Sequence, residues 1–245
     1  MSVCVFAGPT MPPQTAGQMI GADFFPPVKQ GDVYRLAQRG PRIIGIVDGY
    51  FEQVPAVWHK EILWAMCHGI HVFGASSMGA LRAAELWQFG MVGVGTIFEA
   101  YRDGVLIDDD EVALRHGPAE AGYLALSEPM VNIRATLKHA RNEGVISEDT
   151  RAELERRAKG LFYPERVYPT ILNIGRDAGL PDADLTALSR WLPANRIDQK
   201  REDALEMLRR IEAFVSTDPP PKSVSYCFQH TDMWEMVVRS EVQFA

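Results

Sequence analysis

Only three cysteines occur in the chain, at positions 4, 67 and 227, far apart and outside any CxxC or Cys/His spacing. Their scarcity argues against both a disulfide framework and a thiolate zinc site, and no metal is expected. Cys4 falls in an apolar run and Cys67 in a helical one, which predicts core thiols over persulfide carriers. Long hydrophobic runs are missing too: Gly, Pro or charge breaks each one short of the roughly 20 residues that span a bilayer, and no basic stretch precedes an apolar one at the N-terminus. A soluble, cytoplasmic protein without a membrane partner is the expectation. Positive charge is in deficit, with 25 Lys and Arg against 32 Asp and Glu and a formal net charge of -7. The basic residues are scattered among acidic ones, so nucleic acid is not an expected partner. There is no GxxxxGK[ST] loop to cradle a nucleotide phosphate, and no cofactor is expected. Internal repeats and low-complexity tracts are absent as well.

What is present is an alternation of strand and helix patterns in the N-terminal half. Val3 to Ala7, Arg42 to Val47 and Ile70 to Phe73 read as strands that are apolar nearly throughout, as buried parallel strands are. They end at Gly8-Pro9-Thr10, at Asp48-Gly49 and at a turn of small residues. A helix from about Ala56 to Cys67, closed by Gly69, has the length of a right-handed crossover. From about Ser127 the pattern turns helical: Met130, Ile133, Leu137 and Ala140 keep helical spacing behind Ser127 as N-cap, and similar stripes follow at Val167 to Ala178 and Leu205 to Val215. The predicted fold is therefore α/β, with a mostly parallel sheet and flanking helices in the N-terminal half, followed by a helical C-terminal region. The expected division is an α/β domain over residues 1–126 and a helical region with a C-terminal tail over 127–245.

In open parallel sheets ligands bind beyond the carboxyl ends of the strands, so the loops GPT, DGYF and GASSMG are expected to share one cleft. Ala75-Ser76-Ser77-Met78-Gly79 matches the nucleophile-elbow pattern with Ala in place of the first Gly. Small residues there let strand and helix approach closely while presenting a serine hydroxyl, and Ser77 is the expected nucleophile. The amides of Met78 and Gly79 would open the next helix and hold a developing oxyanion. The same turn also suits a cofactor or phosphate cradle, with Ser76 as an ordinary N-cap.

A serine needs a base and an orienting acid. His59 is the first choice for the base, since its ordinary pKa near 6.5 suits proton transfer at neutral pH. Lys60 is the alternative, as a desolvated amine can lose its proton. Asp48 is the expected acid, and Asp109, within the acidic run Asp108 to Glu111, the alternative. Such a run is more often a solvated loop. Arg82 stands on the second turn of the serine helix, where it can hold a substrate carboxylate or pair with Glu85. The amides of Gly8 and Thr10 would close the oxyanion site from the first strand, since Pro9 has none.

These segments resemble the TfuA-like protein family, companions of YcaO enzymes in peptide thioamide biosynthesis. The resemblance covers roughly Val5 to Gly144. It rests on GPT at 8–10, VDGYF and PAVWHKEIL at 47–63, VFGASSMGALRAAEL at 72–86, DDDEVAL at 108–114 and VNIRATL at 131–137. It implies a part in replacing a backbone amide oxygen of a ribosomal peptide or protein by sulfur, in company with a YcaO enzyme. Joined to the serine turn, it suggests hydrolysis of a thiocarboxylated, ubiquitin-like sulfur-carrier protein to release sulfide. The alternative is a non-catalytic adaptor that activates YcaO or recruits the sulfur donor to it; a small-molecule binding module has the least support.

Overall fold

The computed structural model describes residues 2–11, 21–51 and 54–243. Its strands are β1 (Val3–Phe6), β2 (Asp23–Phe25), β3 (Ile43–Ile46), β4 (His71–Ala75) and β5 (Val92–Val94). The helices among the described residues are α1 (Asp32–Ala37), α2 (His59–Cys67), α3 (Met78–Leu86), α4 (Thr96–Arg102), α5 (Met130–Asn142), α6 (Glu148–Gly160), α7 (Tyr168–Asp177), α8 (Asp182–Asn195), α9 (Gln199–Ser216) and α10 (Asp232–Gln243). The chain divides into two compact units, one of residues 1–107 with 201–245 and one of residues 108–200.

In the first unit all strand pairs are parallel and the order is β2-β1-β3-β4-β5. The three expected strands and the crossover helix are present, and the α/β class with it. Residues alternate between the two faces of the sheet. Val3, Val5, Ile43, Phe73 and Ala75 face a cluster completed by Ala204, Met207, Leu208 and Ile211 of α9. Gly45 makes room for that helix, since a Cβ there would lie about 3 Å from both Met207 and Ile211 side chains. The C-terminal helical stripe beginning near Leu205 thus covers one face of the sheet.

α3 lies against β4, and its approach depends on glycine. A Cβ on Gly79 would stand 1.8 Å from the Ile46 carbonyl oxygen, and one on Gly74 would stand 2.2 Å from the Gly79 oxygen. α2 is fastened by Glu61, which is fully buried: its carboxylate accepts from the Trp58 amide at 3.0 Å and the Tyr34 amide at 3.3 Å. Burial pushes this carboxyl above the ordinary range, and the backbone donors oppose the rise without cancelling it.

The second unit is helical. Met130, Ile133 and Leu137 of α5 pack with Leu154 of α6, Ile171 of α7 and Leu185 and Leu188 of α8. α5 has Pro129 at its N-cap, and the Ser127 hydroxyl instead accepts the Arg115 amide at 2.8 Å. The acidic run is knitted into this unit and is not a free solvated loop. Glu111 is buried and receives two hydrogen bonds of 2.9 Å from Arg134, while Lys159 reaches Asp108, Asp110 and Glu111. Arg166, only 1% exposed, donates to the Asp110 carboxylate and to its carbonyl oxygen. Burial raises the Asp110 carboxyl, but the hydrogen bonds from Lys159 and Arg166 outweigh it and hold it below the ordinary range.

Candidate functional site

The strand order places the sheet's reversal of direction between β1 and β3, where ligands of such sheets bind beyond the carboxyl ends. The loops after β1, β3 and β4 meet there. Asp48, 1% exposed, accepts from the Gly8 amide at 2.9 Å, the Thr10 amide at 3.0 Å and the Thr10 hydroxyl at 2.6 Å. The Gly79 amide donates to the Val47 carbonyl at 3.2 Å. Gly49 lies so close to Met78 that a Cβ there would stand 2.7 Å from the Met78 side chain. One connected surface of three loops is therefore formed, as their shared edge implies.

Its centre is the turn between β4 and α3. Ser76 has φ 69°, the left-handed region that L-residues rarely enter, and the Ser77 amide folds back onto the Ala75 carbonyl at 2.8 Å to close a γ-turn. The Ser76 hydroxyl is fully buried and has no hydrogen-bond partner. Ser77 is the N-cap of α3 with φ -114° and ψ -121°, and its side chain makes no cap hydrogen bond. Its carbonyl accepts the first helical amides, those of Ala80 and Leu81. Among the described residues the Met78 amide has no backbone partner in the turn, so it stands as the first free donor at the positive end of the helix.

The other residues singled out in the sequence take definite places. Gly8 and Thr10 give their amides to Asp48, and Gly79 gives its amide to Val47, so of the four expected oxyanion donors the Met78 amide is the one left open. His59, at the start of α2, holds Glu85 through Nε2 at 2.7 Å. Glu85 also accepts from Arg82 Nη1 at 2.8 Å, and Arg82 Nε donates to the Val57 carbonyl at 2.9 Å. Burial raises the Glu85 carboxyl, yet its bonds to His59 and Arg82 prevail and keep it below the ordinary range. Glu85 lies eight residues beyond Ser77 on α3, about 12 Å along the helix axis at 1.5 Å per residue. Asp48 is thus held among the loops at the sheet edge, while His59 is held by Glu85 far down α3 from Ser77, and the structure does not pair the two.

Lys60 Nζ binds the Gln229 carbonyl at 2.6 Å and the Thr231 hydroxyl at 2.9 Å, and lies 5.3 Å from the centre of the Phe228 ring. It anchors the segment before α10. Asp109 is exposed and belongs to the second unit. Glu85, the carboxylate that actually orients His59, carried only one signal in the sequence, its three-residue spacing from Arg82. Among the described residues no group of three or more His, Cys, Asp and Glu side chains is arranged to hold a metal ion. Among the described residues no helix is long and apolar enough to cross a membrane.

Asp48 has a structural use that can be separated from catalysis. Asp48→Ala strips three donors of their acceptor, two of them backbone amides, and is expected to lower the unfolding free energy by about 2–5 kcal/mol in urea titrations. An Asp48→Ala protein as stable as its parent would refute that use.

A family model described as TfuA-like protein matches residues 48–167. The match begins at Asp48 and takes in His59, the serine turn, Arg82 and the acidic run; Gly8 and Thr10 lie outside it. No curated protein matches the chain.

Proposed function

Since residues 48–167 make this chain a member of the TfuA-like protein family, we propose that it works with a YcaO enzyme in the thioamidation of a ribosomal peptide or protein. Its own part is to release sulfide from a thiocarboxylated sulfur-carrier protein of ubiquitin-like type. The observation that carries this reading is Ser77. Its hydroxyl makes no cap bond, it sits at the carboxyl edge of a parallel sheet, and the next amide along the chain, that of Met78, has no backbone partner in the turn.

Ser77 Oγ attacks the thiocarboxylate carbon, forming a C–O bond while its proton passes to His59. Glu85, in place of Asp48, orients the imidazole, and a chain of waters carries the proton along α3, since a single bridging water spans only about 5–6 Å. The Met78 amide holds the oxygen of the tetrahedral intermediate. The C–S bond then breaks, the sulfur takes the proton from His59 and leaves as hydrosulfide, and an acyl ester remains on Ser77. Water hydrolyses the ester to a carboxylate and restores the serine. Nothing is oxidised or reduced in this sequence, so paired cysteines are not required, and Cys4 is buried with its thiol pushed up by desolvation.

The direct test is sulfide release from a carrier protein bearing a C-terminal thiocarboxylate, measured with the purified full chain, with and without a YcaO partner. Release that scales with this protein and leaves a carboxylate terminus is expected. A carrier that stays thiocarboxylated in both mixtures overturns the reading.

A further inference from the structure

The oxyanion site as read from the backbone is one donor short. Acyl-transfer enzymes commonly aim two or more donors at the developing charge. Here the Ser77 amide is turned back onto Ala75, the Gly79 amide is held by Val47, and the Gly8 and Thr10 amides are held by Asp48. That leaves the Met78 amide. In the same turn, two residues before Met78, is a hydroxyl that is wholly buried and has no hydrogen-bond partner, Ser76 Oγ.

We propose that the Ser76 hydroxyl is the second oxyanion donor, giving its hydrogen to the substrate oxygen while Met78 gives its amide, with Ser77 as the nucleophile between them. This assignment rests on the serine-enzyme reading above. Buried polar groups are nearly always paired, so a lone hydroxyl at the centre of a strand-end site points to a partner that arrives with the substrate. In a site shielded from water such a donor acts far more strongly than it does in solution. The residue is also held in a backbone conformation that glycine would adopt without strain, and a glycine would do there for the turn alone. A serine at this position adds a hydroxyl, and the fold gives that hydroxyl no bond.

The test follows the labelling of the full chain by a fluorophosphonate probe, whose reaction passes through a charged oxygen of the same kind. The modified residue is mapped by mass spectrometry, and melting temperatures are recorded beside the rates. The parent is expected to carry the adduct on Ser77. Ser76→Ala and Ser76→Gly are expected to label the same serine about a hundredfold more slowly. Their melting temperatures should be unchanged or higher, since Ala removes an unpaired polar group and Gly removes the strained φ as well. Labelling of Ser77 at the parent rate in both variants overturns the donor assignment and leaves the serine reading intact. An adduct on Ser76 itself overturns both the donor assignment and Ser77 as the nucleophile, because it makes the Ser76 hydroxyl the nucleophile. Slow labelling matched by a fall in melting temperature overturns the assignment in favour of a structural role. A parent protein that takes no label at all overturns the serine reading and the donor with it.

Discussion

Replacing Ser77 by alanine is expected to reduce sulfide release from a thiocarboxylated carrier by at least about a thousandfold while leaving the melting temperature within a degree or so of the parent. The rate loss follows from removing the nucleophile, whose loss in a serine enzyme leaves only what binding and the oxyanion donors supply. The unchanged stability follows from a feature of this chain. A serine N-cap exchanged for alanine ordinarily costs about 1 kcal/mol because a helix amide loses its acceptor. The Ser77 side chain makes no cap hydrogen bond, so its removal strands no donor. Catalysis and folding are therefore separable at this residue. Ser77→Cys adds a second measure: a thiol in the same place is expected to retain a slow reaction and to become sensitive to alkylation at that site. If Ser77→Ala supports thioamidation fully in the presence of the YcaO enzyme, the catalytic reading fails. The adaptor reading then takes its place, under which activity follows complex formation whatever stands at position 77.

How far the sequence leads can be followed element by element. β1, β3 and β4 are legible because each is an apolar run that stops at Gly-Pro, at Asp-Gly or at a turn of small residues. β2 and β5 are three residues each, too short for a period to declare itself, and β5 lies within FGMVGVG, where glycine suggests a loop. α9 shows its apolar stripe plainly. What the stripe covers depends on the room left by Gly45 on a strand more than 150 residues earlier, which no local pattern records. At the site the same division holds. Glycines and small residues mark where α3 meets the sheet, yet they do not say which of two adjacent serines enters the left-handed region, since both are small and polar. Nor does proximity decide pairing. Asp48 and His59 lie only eleven residues apart, but two backbone amides take the carboxylate and Glu85 takes the ring.

Gly79→Ala is expected to be the most damaging glycine-to-alanine change among the described residues, lowering stability by more than about 3 kcal/mol or preventing folding altogether. The added Cβ would lie 1.8 Å from the Ile46 carbonyl oxygen and 2.6 Å from its carbon, both backbone atoms of a central strand that cannot rotate away. α3 would have to withdraw from the sheet by more than an ångström. That movement breaks the Gly79 amide bond to Val47, opens the packing of the buried Ala80 and Ala83, and displaces the Met78 amide from the serine turn. Gly160→Ala supplies the comparison. It stands in the last turn of α6 with no atom within 4 Å of the added methyl, and alanine is expected to be neutral there or to stabilise by up to about 1 kcal/mol. Urea denaturation of the two variants beside the parent measures the contrast. Equal midpoints for Gly79→Ala and Gly160→Ala would mean that α3 does not sit this close to β3, and the serine turn, which that approach holds in place, would need to be redrawn.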